Sequence, residues 1–289
     1  IYTTINSANL ILKHTPEISF TNEATRNEVM ANAYFLRAYC YFTLVRVFGD
    51  CPLLTSGFES EKQEDMYPSR TAASEVYAQV ETDIEEALRL MPASSKLLHK
   101  ASPAAINMLR TEYYLWKAKR LGGGNAALST AQSSVDAVLK AGYALLPTFA
   151  DIFNLNNEAN SELIWTLPYI VNENVTPGTS PNFFAYYLAP NGDRTRLREA
   201  GYTEDEVPAG SHAQYVVPTQ AYCDFLAEDA RDTRTDVSVR VFEDKFLTEE
   251  VQIKRMVVKF KGSFANDTRS FDSDVPCLLY TSPSPRDCS

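Results

Sequence analysis

Apolar residues in the first half of the chain recur every three or four positions, in successive stretches that each end at a helix-breaking residue. This spacing places the apolar side chains on one face of an α-helix, which must bury that face against a neighbour. In the longest stretch the pattern runs from Val29 to Val47, Gly49 follows the last apolar position, and Pro52 prevents the helix from resuming. The first half of the chain is therefore predicted to be a succession of helices.

Capping residues locate several of the helix ends. Ser69 or Thr71 is predicted to cap the third helix, and Ser102, which precedes a proline, is predicted to cap the fourth. The glycines at 122–124 predict a turn rather than a phosphate-binding loop, since no Gly-Lys-Ser/Thr follows, and Asn125 is expected to cap the fifth helix. A loop this short requires antiparallel packing of the helices that it joins. Repeated pairs of this kind predict a tetratricopeptide-like array.

The second half of the chain has a different pattern. Leu163 to Leu167 is an apolar run of strand length, and residues 172–215 are rich in Pro, Gly and Asn and interleaved with aromatic residues. A short helix is predicted from Pro218 to Phe225, and alternating apolar residues at 237–241 and 253–260 predict a β-hairpin or a pair of edge strands. The predicted fold class is mainly α: a tetratricopeptide-like helical array with a loop-rich region and a few short strands.

The predicted domain organisation is a single domain over residues 1–276, with helical pairs in 1–145 and a loop-rich, mixed region in 146–276. Residues 277–289 have neither helical nor strand periodicity, and they resemble the in-frame translation of a sequencing-library adaptor. We therefore expect this tail not to be native, and we exclude it from the prediction of the fold. The native chain is expected to be longer at both ends.

Composition argues against several classes of function. Lys and Arg total 27 against 37 Asp and Glu, a net charge of −10, whereas nucleic-acid-binding proteins neutralise phosphates with basic side chains. The five cysteines include no CxxC pair, so neither a disulfide framework nor a zinc site is indicated. His14, His99 and His212 are far apart and no nucleophile motif is present. We expect no metal, no cofactor and no enzymatic activity.

Aromatic residues in the loop-rich region form the candidate ligand site. The chain has 16 Tyr and 15 Phe, and several of them lie in loops beside amide and charged residues. A flat apolar ring can stack against a pyranose face while polar neighbours bind the hydroxyl groups, which suits a sugar ligand. The alternative is that these rings pack the loop onto the helices. The candidate glycan-binding residues are Phe183, Phe184, Tyr186, Tyr187, Asn191, Arg194, Tyr202 and Tyr215.

Two adjacent segments carry a family resemblance. Ala33 to Phe42 reads Ala-Tyr-Phe-Leu-Arg-Ala-Tyr-Cys-Tyr-Phe, and Phe48 to Leu53 reads Phe-Gly-Asp-Cys-Pro-Leu. Together they resemble the signature of the SusD/RagB family, the nutrient-binding outer-membrane lipoproteins of Bacteroidetes. Further matches follow in the same order, among them Asp83 to Ala87 and Ser161 to Trp165, so the resemblance extends over nearly all of residues 2–276.

The resemblance implies a function in polysaccharide utilisation. It implies a lipid-anchored protein on the outer face of the outer membrane, although the lipidated cysteine is expected to lie outside these residues. The protein would bind a nutrient, most often an oligosaccharide, and deliver it to a SusC-like TonB-dependent transporter, without catalysis. Two alternatives remain open: a peptide ligand, as in RagB-like members, and a tetratricopeptide scaffold that binds a protein partner.

Overall fold

The structure of the chain is a computed structural model. It describes residues 1–60, 68–95, 98–153, 157, 159–167, 197–203, 206, 217–244, 252–257, 263–265, 268–270 and 275–276. The chain divides into two compact units. Within the described residues, the first unit contains Ile1–Ala144 with Leu163–Thr166, and the second contains the described parts of Leu145–Glu162 and Leu167–Val275.

The first unit is an array of five helices in which consecutive helices pack against each other. Each amphipathic stretch of the sequence forms one helix, because its apolar stripe is buried only when a neighbouring helix covers it. The predicted helical array is therefore confirmed. The helices are α1 (Tyr2–His14), α2 (Glu23–Phe48), α3 (Ala73–Leu90), α4 (Pro103–Arg120) and α5 (Gly124–Lys140), and a 3₁₀ turn (Thr15–Glu17) follows α1.

Helix α2 is the centre of the first unit's core. Its residues Phe35, Tyr41 and Phe42 are all at most 1% exposed, because α1 and α3 cover different sides of the helix. Trp165 reaches this core as well, with its ring centroid 5.1 Å from that of Phe35 in an edge-to-face contact. Full burial of each such side chain stabilises the fold by about 1.5–3 kcal/mol. The sequence pattern placed Val47 on the buried face, and this prediction is wrong, because Val47 is 67% exposed at the end of the helix.

The predicted helix ends are partly confirmed. Gly49 ends α2 with φ at 68°, and the Ser102 hydroxyl accepts a hydrogen bond from the backbone N–H of Ala105 at the start of α4. Neither Ser69 nor Thr71 caps α3. The backbone of Thr71 instead forms a β-bridge with Cys51, as described next, and the helix begins after Ala72.

The β-bridge places a different carboxylate at the start of α3. Thr71 and Cys51 exchange two backbone hydrogen bonds, and this brings Asp50 next to the first turn of α3. The Asp50 carboxylate accepts a hydrogen bond of 2.9 Å from the backbone N–H of Ala73. At α5 the prediction was also wrong: the helix begins at Gly124, two residues before the start that a cap at Asn125 implies, so Asn125 lies inside it. At α3, tertiary pairing therefore replaced the local cap that the sequence suggested.

A buried ion pair joins the first three helices. The Arg37 guanidinium of α2 donates through Nε and Nη2 to the two carboxylate oxygens of Asp83 on α3, at 2.8 and 2.7 Å. Its Nη1 donates to the side-chain oxygen of Asn9 on α1 at 2.8 Å, and Gln79 donates to Asp83 at 2.8 Å. The Arg37 and Asp83 side chains are 6% and 0% exposed. Each charge is thus compensated by the other and by hydrogen bonds.

Replacing Arg37 with Met is expected to destabilise the protein by about 3–5 kcal/mol, because the Asp83 carboxylate is then left buried without its cation. Urea unfolding followed by circular dichroism measures this loss. The double variant Arg37→Met/Asp83→Leu, which removes both charges, should recover most of it. A single variant that loses less than about 1 kcal/mol would show that the ion pair is not required for packing.

The second unit combines short helices and strands. The helix predicted from Pro218 to Phe225 is present but begins two residues later, where the Thr219 hydroxyl accepts a hydrogen bond from the backbone N–H of Tyr222 and caps it. The predicted hairpin is confirmed, and Val241 pairs with Arg255 in its antiparallel register. Val237, expected in the hairpin, lies in a helical turn instead. The elements are α6 (Gln220–Ala227), α7 (Thr235–Ser238), the paired strands β2 (Val239–Asp244) and β3 (Gln252–Val257), and the paired strands β4 (Ser263–Ala265) and β5 (Thr268–Ser270).

Three shorter elements complete the described structure. A 3₁₀ helix spans Phe149–Phe153 in the second unit. The apolar run from Leu163 forms a strand only at its end, as β1 (Thr166–Leu167), while Leu163 and Trp165 are buried. The last described strand is β6 (Val275–Pro276). Residues 277–289, predicted to be a non-native tail, lie outside the described residues.

Candidate functional site

One of the eight candidate glycan-binding residues, Tyr202, lies within the part of the chain that the structure describes. The other seven are Phe183, Phe184, Tyr186, Tyr187, Asn191, Arg194 and Tyr215, and they lie outside the described residues. Their role therefore stays a prediction. The geometry that follows is that of the described residues beside them in the sequence, all of which belong to the second unit.

Tyr202 is half-buried against the β2–β3 hairpin. Its ring meets that of Phe242 edge to face, with centroids 5.1 Å apart, and Phe242 itself is fully buried. The Tyr202 hydroxyl accepts a hydrogen bond of 3.2 Å from the backbone N–H of Glu243. These contacts fix the ring by both its edge and its polar end. Tyr202 therefore anchors its segment to the hairpin, whereas the packing alternative in the sequence analysis placed the loop aromatics against the helices.

A carboxylate next to Tyr202 is held by three donors. The backbone N–H and the hydroxyl of Thr203 donate to one oxygen of Glu206, at 2.8 and 2.9 Å, and Arg240 donates to the other at 2.6 Å. These hydrogen bonds, those of Thr203 first, lower the pKa of Glu206 from 4.5 to about 2. The Arg240 guanidinium also lies 5.5 Å from the ring centroid of Phe242. Glu206 and Arg240 thus hold in place the same segment that Tyr202 anchors to the hairpin.

The depressed pKa of Glu206 gives a stability contribution with a defined pH range. It is present in full above about pH 4.5 and is lost as the pH falls toward 2, because the unfolded chain binds the proton first. In Arg240→Met the pKa of Glu206 should rise but stay below 4.5, since both Thr203 donors remain. NMR titration of the Glu206 carboxyl group measures this pKa. Arg231→Met, which removes the partner of Asp229 only, is the matched control, and an unchanged Glu206 pKa in Arg240→Met would contradict the assignment.

Two exposed rings lie on one face of α6. Tyr222 and Phe225 are three positions apart, so their side chains are neighbours on the helix surface, and they are 49% and 65% exposed. Cys223, on the opposite side of the helix, is buried. On a different face of the helix, the Gln220 amide donates to the Asp224 carboxylate at 2.7 Å. We refer to Tyr222 and Phe225 as the ring pair.

Sequence reasoning missed the ring pair. It predicted this short helix and searched only the preceding loop for ligand-binding aromatics. The available signal was the helical spacing: two aromatic positions three apart cannot share the buried face with Cys223, which lies between them in sequence. Applied to residues 220–227, that rule predicts that the rings and Cys223 lie on different faces, and the packing of α6 then decides which face is exposed.

Several charged and titratable groups of the described residues are engaged in structural contacts. Asp229 pairs with Arg231, and Asp232 pairs with Arg234. His14 lies between Glu17 and Glu59, whose hydrogen bonds raise its pKa. Within the described residues no three His, Cys, Asp or Glu side chains are grouped as metal ligands would be. The arrangement is suited to binding through rings and hydrogen bonds.

Across the described part of the chain, no helix has the length and apolar character needed to cross a membrane. The longest, α2, has 26 residues but includes five charged ones: Glu23, Arg26, Glu28, Arg37 and Arg46.

Comparison with known proteins shows which proteins this chain resembles. Residues 1–114 match the model of a SusD-like family described as starch-binding and associating with the outer membrane. The chain is 31% identical over 210 residues to SusD-like protein P38 of Formosa agariphila, an alignment that covers 66% of this chain and 38% of that protein. The three curated relatives match over 31%, 43% and 38% of their own lengths, so the chain corresponds to less than half of each.

Comparison with solved structures gives the same likeness. A SusD superfamily protein from Bacteroides vulgatus superposes with a TM-score of 0.80 at 28% identity, over 96% of this chain and 58% of that one. NanU from B. fragilis superposes with a TM-score of 0.80 at 26% identity, over 95% of this chain and 56% of that one. The motif around Arg37, the helical array and these likenesses agree: the chain is similar to SusD-like proteins in both sequence and fold.

Proposed function

We propose that the protein binds a nutrient oligosaccharide at the cell surface through exposed aromatic rings of the second unit. The observation that carries this proposal is the ring pair on α6, where 49% of Tyr222 and 65% of Phe225 are exposed to solvent. Exposed aromatic rings offer flat apolar faces that a pyranose can cover. The family description, starch-binding and associated with the outer membrane, supports a glycan ligand.

The remaining candidate residues are proposed to have two different roles. The loop residues Phe183, Phe184, Tyr186, Tyr187, Asn191, Arg194 and Tyr215 are proposed as further contacts of the same ligand. Tyr202 is proposed to hold its segment in place rather than to contact the sugar, because its ring and its hydroxyl are both engaged by the hairpin.

Binding without catalysis is the activity proposed for the whole protein. The glycan would pass to a SusC-like TonB-dependent transporter, with the protein lipid-anchored on the outer face of the outer membrane. Support comes from the family described as associating with the outer membrane. A peptide ligand would use main-chain hydrogen bonds and tolerate loss of the rings. The effect of substituting the rings therefore distinguishes a peptide ligand from a sugar.

Calorimetric titration with a panel of oligosaccharides tests the proposal. In Tyr222→Ala/Phe225→Ala the affinity for the bound glycan should fall about tenfold or more, because losing ring contacts worth roughly 1.4 kcal/mol changes the dissociation constant tenfold. Tyr186→Ala/Tyr187→Ala should weaken the binding of the same glycan. Leu139→Ala is the matched control, since Leu139 is also 65% exposed but belongs to α5 in the first unit.

Two results would overturn the proposal. One is glycan binding that is unchanged in both double variants. The other is saturable binding of a peptide mixture, with no oligosaccharide bound, in a protein whose circular dichroism spectrum is native.

A further inference from the structure

The first unit contains an open cleft that is separate from the ring pair and its neighbours. It lies between α1, α2 and the segment that follows Leu54, and its volume is about 440 Å³. Small-molecule sites typically have volumes of roughly 300–1,000 Å³, so the cleft has room for one sugar ring with its substituents. The residues that matter for a ligand are Leu12, Lys13, Tyr34, Arg37, Thr55 and Ser56.

Arg37 presents unused donors to this cleft. The guanidinium has five N–H groups, of which three are bonded: two to Asp83 and one to Asn9. The remaining two, one on each terminal nitrogen, have no acceptor among the described residues. The side chain is only 6% exposed and is fixed by its partners, so its position requires no ordering on binding. Asp83 balances its charge, and the attraction to a ligand therefore comes mainly from the hydrogen bonds.

The other lining groups are also rich in donors. Lys13 donates to Glu59 at 2.8 Å, which leaves two of its three ammonium hydrogens. Thr55 and Ser56 are exposed and can offer their hydroxyls. Tyr34, half-buried, and Leu12 supply the apolar wall, with the Arg37 guanidinium 5.4 Å from the Tyr34 ring centroid. A ligand for this cleft must therefore have both hydrogen-bond acceptors and one apolar face.

We propose that the cleft binds a small sugar that carries a carboxylate, such as a hexuronate. The carboxylate accepts hydrogen bonds from the two unused N–H groups of Arg37, and hydrogen bonds between charged groups are stronger than those between neutral groups. The ring lies against Tyr34 and Leu12, and its hydroxyls meet Thr55 and Ser56. This site does not rest on the proposed glycan binding, because the ring pair belongs to the second unit.

Nuclear magnetic resonance titration of the full chain with sodium D-glucuronate tests the proposal directly. The Arg37 side-chain N–H signals and the backbone signals of Thr55 and Ser56 should shift and saturate. D-glucose, which has the ring without the carboxylate, and acetate, which has the carboxylate without the ring, should each bind at least tenfold more weakly. Equal affinity for glucose and glucuronate, or no saturable shift at Arg37, would overturn the proposal.

Variants that leave the buried ion pair intact complete the test. Ser56→Trp should fill the cleft and abolish the glucuronate shifts, and Tyr34→Leu should weaken binding at least fivefold. Leu128→Trp, an exposed position on α5, is the matched control and should bind as the parent does. Tyr222→Ala/Phe225→Ala should also retain glucuronate binding, so that failure at one site is distinguishable from failure at the other. Undiminished binding in Ser56→Trp would place the ligand elsewhere and contradict the proposal.

Discussion

The buried pair of Arg37 and Asp83 is the interaction on which the first unit depends. A guanidinium and a carboxylate with side-chain exposures of 6% and 0% are stable inside a protein only when their hydrogen bonds are satisfied. Here Asn9 of α1 and Gln79 of α3 supply the additional contacts. The requirement fixes the relative position of three helices, because a shift of any one of them leaves a buried polar group without a partner.

Two other features of the first unit follow from this arrangement. Asn9 also donates to the backbone oxygens of Leu54 and Ser56, so the segment after α2 is held against α1. The Tyr41 hydroxyl bonds to the backbone of Leu54 as well. The cleft proposed to bind a carboxylated sugar lies beside this network, and its main donor, Arg37, is positioned by the same contacts that stabilise the helices. A preorganised donor of this kind binds with little loss of conformational entropy.

The sequence predicted the fold well where local signals and tertiary packing agree. The helix that Gly49 ends and the helix that Ser102 begins were both located, because a left-handed glycine and a capping hydroxyl act within one turn. It failed at Thr71 and Asn125, where a β-bridge and the glycine turn decide the helix start. For the site, exposure of Tyr222 and Phe225 depended on which side of α6 packs inward, and the preceding loop alone was searched.

The sequence by itself determined the helical periods, the helix ends at Gly49 and Ser102, the acidic balance and the motif around Arg37 that resembles the SusD-like family. Those features depend on residues within a few positions of one another. Only the tertiary structure decided the partner of Arg37, which lies 46 residues away on α3, and the carboxylate that meets the start of α3. It also decided which rings stay exposed. Contacts between distant segments follow from the packing of whole helices, and no local pattern encodes them.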